Sequence, residues 1–167
     1  MYVLGHVGIS LLLFGPLAST LLSAGQPLLA ALTGVVMIGL APLPDCDTYT
    51  DRLDHRGPTH TVWFALGVGL IGAALGGLGT VALEVVGVDL SLTPLWVAGW
   101  FGGVSTLAVL GHLAGDLVTP MGVCPFRQLS EWHYTFDLTP SKSPRANRLC
   151  FGAGSLSVAA TLLVTVP

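Results

Sequence analysis

The sequence predicts an all-α protein, a polytopic membrane helix bundle of about five transmembrane helices. Charged residues make up only 9% of its 167 residues and hydrophobic ones 52%, whereas an ordinary soluble domain is about 25% charged. Mean hydropathy is +0.78. Too little charge is present to solvate a globular surface, so the lipid bilayer must be the solvent for much of the chain. The apolar residues also gather in five runs, and a helix needs roughly 20 of them to span a bilayer. The length suits one integral membrane domain, 1–167.

The first run, 2–22, begins at Tyr2 without a basic segment before it and is too long for the apolar core of a signal peptide, so none is expected. Gly15 and Pro16 mark a bend in it. After a turn at 23–26, the second run, 28–43, is short and is closed by Pro42 and Pro44. Residues 45–58 are polar and hold six of the fifteen charged residues. The third run, 59–86, carries glycines at small-xxx-small spacings that permit close helix packing. A weakly polar turn at 84–93 leads to the fourth run, 95–118. A second long polar segment, 119–147, precedes the fifth run, 148–166. Phe126, Trp132, Tyr134 and Phe136 in that segment suit the membrane–water interface.

An odd number of spans puts the N-terminus, the 45–58 loop and the 119–147 segment on one side. Arg52, Arg56, Arg127, Lys142, Arg145 and Arg148 all fall there. Positive charge is retained on the cytoplasmic side of inner and plasma membranes, so this face is expected to be cytoplasmic. A net charge of −3 with six Lys and Arg argues against a nucleic-acid partner. Cys46, Cys124 and Cys150 form no CxxC pair and read as small apolar residues.

The other polar residues collect at the same membrane depth. His6 lies near the start of the first span, Asp45 and Asp47 follow the second, His55 and His60 flank the start of the third, and His112 and Asp116 end the fourth. His112 and Asp116 are four apart and share a helix face, a spacing by which two side chains grip one metal ion. Asp45 and Asp47, two apart, would point to one side of an extended segment. Intramembrane carboxylates and imidazoles are costly and usually functional, and this donor set suits a divalent ion, Zn, Mn or Fe. Asp51, Asp54 and Glu131 read as solvated loop charges, while His133 has no assigned role. In the stretch from His55 to His60, Pro58 suits a helix start, where anions gather. Arg56 beside it has the fork that binds phosphate in bidentate fashion; its alternative is a cytoplasmic anchor charge.

Gly5-His6, Leu43-Pro44-Asp45-x-Asp47, His55-Arg56-Gly57-x-Thr59-His60 and His112-x3-Asp116-x2-Thr119-Pro120-x-Gly122 occur in this order at matching places relative to the spans. Together they resemble the YdjM-like family of LexA-regulated, membrane-bound, metal-dependent hydrolases, over about residues 1–150. The resemblance implies a hydrolase with a divalent metal at the membrane surface and carries over His6, Asp45, Asp47, His60, His112 and Asp116 as candidate ligands. Thr61 stands where the family usually has Ser, and no acidic residue matches one that the family often shows near Pro144.

The expected function is metal-assisted hydrolysis by one or two ions at the cytoplasmic membrane face, on a phosphoester or phospholipid headgroup. Asp47, if left out of the coordination shell, is the candidate general base, and Arg56 the candidate phosphate-binding residue. A transporter or channel is the rival reading, but transporter sites sit near the bilayer midplane, and spans two to five have no ionisable residue mid-span. A metal-stabilised scaffold without turnover is the third; its site would be coordinatively closed, whereas a catalytic one keeps a water position.

Overall fold

The computed structural model describes residues 1–49, 56–88 and 91–165. Asp51, Arg52, Asp54 and His55, and with them much of the 45–58 loop, lie outside the described residues. Among the described residues, five helical segments are long and apolar enough to cross a membrane: α1 (Val3–Ser23), α2 (Pro27–Leu40) taken with the turn that follows it to Tyr49, α3 (Val62–Val85), α4 (Pro94–Leu117) and α5 (Pro144–Thr165). A 3-10 helix, Leu43–Tyr49, extends the second span, and a shorter one, Pro58–His60, leads into α3. Among the described residues the only strand-like pairing is an isolated bridge between Val123 and Tyr134.

Local chemistry sets the helix starts a few residues away from the hydropathy edges. The Thr61 side chain accepts from the Phe64 backbone N–H at 3.2 Å, and Thr93 does the same for Trp96 at 3.2 Å, each satisfying an otherwise unpaired donor of a first turn. The fifth helix begins at Pro144 rather than 148. Proline suits a first helical position, and Ser143 Oγ takes the Ala146 N–H at 3.3 Å. Arg145 therefore lies in the first turn of α5, although its charge reads as loop.

The segment after α2 corrects a second expectation. Asp45 and Asp47 lie in a 3-10 helix, not in an extended strand. Pro42 and Pro44 stop α2, the Asp45 N–H bonds the Pro42 carbonyl at 3.1 Å, and Thr48 Oγ1 bonds the Asp45 carbonyl at 2.7 Å. At about three residues per turn, neighbours two apart point in different directions. The two carboxylates consequently diverge.

α4 is the most enclosed helix, packed against α1, α2 and α3, while α3 and α5 flank the bundle and face outward. Met37 of α2 and Val104 and Ala108 of α4 form the middle of the core. Trp100 of α4 ties to α2 by donating its indole N–H to Thr33 Oγ1 at 2.9 Å.

The most extensive seam joins the first helix to the last. Gly8 lies so close to α5 that a Cβ there would collide with the backbone of Cys150 and Phe151. Pro16 lacks the N–H that would bond the Leu12 carbonyl four residues back. Ser157 Oγ of α5 bonds that carbonyl instead, at 3.4 Å, and Thr161 Oγ1 bonds the neighbouring Gly15 carbonyl at 2.9 Å. Hydroxyls from a neighbouring helix are how a membrane helix tolerates an internal proline, and α1 runs through Pro16 without a break.

Candidate metal centre

The ends of the second and fourth spans and the turn before α3 meet in one cluster. One donor atom each from Asp45, His60, His112 and Asp116 can be chosen so that all four lie within 4.8 Å of one another. His60 and His112 are fully buried and Asp116 nearly so, whereas the Asp45 side chain retains 24% exposure. Asp45 thus lines the accessible side of the cluster.

Hydrogen bonds at the rear of each imidazole aim the front. His112 Nδ1–H donates to the Ala41 carbonyl at 2.7 Å, an acceptor presented where α2 gives way to the 3-10 helix. His60 Nδ1 lies 3.0 Å from Thr59 Oγ1 and 3.3 Å from Asp47 Oδ2, and Thr59 Oγ1 donates to that same Asp47 oxygen at 3.1 Å. With the proton on Nδ1 in both rings, each Nε2 presents a lone pair. Carbonyl and carboxylate partners of this kind orient metal-binding histidines and fix their tautomers.

The two Nε2 atoms are 3.2 Å apart. Each lies 3.5 Å from Asp45 Oδ1 and 3.4 Å from Asp116 Oδ2. Asp116 Oδ2 is buried without a hydrogen-bond partner. Four electron-rich atoms therefore face one another, and a cation at their centre would satisfy all four. The donor chemistry, two imidazole nitrogens and two carboxylate oxygens, fits a divalent transition ion. At His60, burial lowers the pKa, but the adjacent Asp116 and Asp45 carboxylates outweigh it and raise the pKa above the ordinary histidine value.

Asp47 and His6 stand outside this four-donor group. Asp47 Oδ2 faces the rear of His60 and also accepts the Arg56 backbone N–H at 2.8 Å. His6 stacks on His112 with ring centroids 3.7 Å apart and planes 8° from parallel. Its Nε2 lies 3.6 Å from Asp116 Oδ1, and neither ring nitrogen has a hydrogen-bond partner. The Met1 nitrogen reaches the same Asp116 oxygen at 2.9 Å.

Arg56 adopts a left-handed backbone conformation, φ 59°, and turns its guanidinium inward. Nη2 donates to Asp116 Oδ1 at 2.7 Å, and Nη1 to the Gly122 carbonyl at 2.7 Å and Thr119 Oγ1 at 3.2 Å. Its Nε is buried without a hydrogen-bond partner. These contacts explain the Thr-Pro-x-Gly run after α4. Thr119 bonds the Asp116 carbonyl through its hydroxyl at 2.8 Å, and Gly122 turns the chain at φ 52°, where a Cβ would strike the Tyr134 carbonyl.

Ala41, Thr59, Thr119 and Gly122 carry no assigned role in the sequence reading. For Thr59, Thr119 and Gly122 the signal was available, since each belongs to a quoted motif; the Ala41 carbonyl leaves no trace in side-chain identity. His133 lies apart, exposed and hydrogen-bonded to the Met121 carbonyl.

Five membrane-capable helices with a buried His/Asp group at one end define an integral membrane protein with a candidate metal centre. The chain belongs to the YdjM inner membrane protein family, whose sequence profile matches residues 1–166. Comparison with curated proteins and with solved structures yields no match.

Proposed function

We propose that the chain is a metal-dependent hydrolase of membrane phosphoesters, with one divalent ion held by Asp45, His60, His112 and Asp116 at the cytoplasmic face. The observation that carries this reading is the mutual facing of four acceptor atoms within 4.8 Å, with one edge of the group open at Asp45. An ion bound there supplies a water of lowered pKa and polarises a phosphoryl oxygen.

The protein's own groups divide the remaining tasks. The Ala41 carbonyl and the Asp47–Thr59 pair hold the two imidazoles in their metal-binding orientation. Arg56 holds Asp116 through Nη2, and its unpartnered Nε is the donor left for a phosphate oxygen. Asp47, engaged by Thr59, His60 and the Arg56 backbone, acts in this reading as a positioning residue. His6 packs against His112 and lies beside the second Asp116 oxygen.

The reading is tested by release assays on phospholipid and isoprenoid-phosphate substrates in mixed micelles, with and without a chelator. Chelator-sensitive turnover is expected; turnover that persists with the metal stripped would overturn the mechanism.

Asp47→Asn separates the roles open to Asp47. As the orienter of His60, it should lower metal affinity about 10- to 100-fold when replaced, with turnover recovering as metal is added. Complete loss of metal would make Asp47 a ligand, and full metal content without turnover would make it the general base.

Orientation has its own test. Leu129 and Val88 are exposed at opposite ends of the bundle. In a cysteine-free background in intact cells, Val88→Cys should react with a membrane-impermeant maleimide and Leu129→Cys should not. The reverse pattern would put the centre on the outer face.

A further inference from the structure

α2 and α3 hardly touch each other, although both pack around α4. Between them lies an apolar groove of about 410 Å³, floored by Phe101 and Ser105 of α4. One wall runs from Leu32 to Leu40, the other from Val68 to Gly76. The helices run in opposite directions, so Leu40 and Val68 mark the end nearest the metal centre. Eight residue steps along either wall give a length of ~12 Å at the helical rise of about 1.5 Å per residue.

The groove is continuous with the lipid-facing surface. Val35, Ile71 and Leu75 line it and are also 68%, 62% and 69% exposed on the outside of helices that span the membrane. Its mouth therefore opens sideways into bilayer hydrocarbon, and its lining offers almost no polar partner. Its inner end lies close to the site: Leu40 precedes Ala41, whose carbonyl holds His112. Ser105 stands seven residues before His112 on α4, ~10 Å along the axis.

From this geometry we infer that the groove holds one hydrocarbon chain of a membrane lipid, entering between α2 and α3, whose polar head reaches the metal centre. This rests on the hydrolase reading and names its substrate class: a chain-bearing phosphoester already resident in the bilayer.

Gly39 provides the means to test it. It lines the groove and a Cβ there would meet nothing within 4 Å, so Gly39→Trp introduces an indole at the groove from a position with room for its first atom. Gly79 of α3 is equally open but lies outside the groove, and Gly79→Trp is the control. The probe is a phospholipid with a mid-chain diazirine, incorporated into nanodiscs with the purified full chain. Photoadducts should concentrate on the two groove walls. Gly39→Trp should reduce them several-fold and slow hydrolysis of the long-chain lipid while sparing a water-soluble phosphoester; Gly79→Trp should do neither.

Adducts spread evenly over the lipid-facing helices, or unchanged by Gly39→Trp, would overturn the groove assignment even if hydrolysis proceeds. Groove adducts without any hydrolysis would leave the lipid site standing and remove the hydrolase reading on which its catalytic role rests. Disulfide-linked dimers through Val35→Cys with lipid adducts absent would give the groove to a second copy of the chain and overturn the proposal.

Discussion

Asp116→Ala is expected to abolish both metal retention and turnover while leaving the protein in the membrane. Asp116 is the member of the cluster with most partners: Oδ2 faces both Nε2 atoms at 3.4 Å, and Oδ1 holds Arg56 at 2.7 Å. Its removal takes away one of four donors and strands the Arg56 guanidinium beside two imidazoles. Leaving one member of a buried charge pair alone costs about 3–5 kcal/mol, so the loops that carry the site should loosen as well. Insertion depends on the spans, and deleting a charge near a span end eases it. Elemental analysis of the wild-type chain and the variant in detergent reads the metal, and carbonate-resistant membrane association reads insertion. Equal metal content in the two proteins would place the ion elsewhere and refute the centre described above.

Gly8→Val should be strongly damaging although Gly8 holds no part of the metal centre. Its side chain would be driven into the backbone of Cys150 and Phe151, and backbone cannot move aside as a side-chain tip can. Overpacking of a close-packed interior typically costs about 1–3 kcal/mol, which for a chain of this size is a drop in Tm of roughly 2–12 °C. Tm in detergent should fall by that amount, while Gly79→Val, at an open position, should leave it unchanged. An unaltered Tm for Gly8→Val would mean that α1 and α5 are not held at this distance.

The five spans were legible because lipid imposes a simple length and composition rule, and the His112/Asp116 pair because four residues return a helix to the same face. What was not legible depended on backbone. The reading of Asp45 and Asp47 assumed an extended segment; the 3-10 turn set by Pro42 and Pro44 sends Asp45 to the front of His60 and Asp47 to its rear. The Ala41 carbonyl enters as a bare backbone acceptor at a helix end. The sequence reading began the fifth span at 148, four residues after α5 starts, because Arg145 weighs against a span in a hydropathy window, whereas a proline and a capping serine decide where the helix begins. Arg56 drew attention as a phosphate ligand, but its contact with Asp116, 60 positions away in sequence, needs the folded loop to be seen.

The proline in α1 has a consequence for how the protein is made. The Leu12 carbonyl that Pro16 leaves open is closed by Ser157, 145 residues later in the chain. At a synthesis rate of ~5–20 residues per second, α1 resides in the membrane for roughly 7–30 s before that hydroxyl exists. During this interval its glycine-rich seam, with a polar carbonyl inside it, is bare to lipid or to the insertion machinery. The seam along α1 is thus closed by the fifth span. A ribosome stalled before α5 would leave α1 to α4 inserted with an unpaired seam along α1.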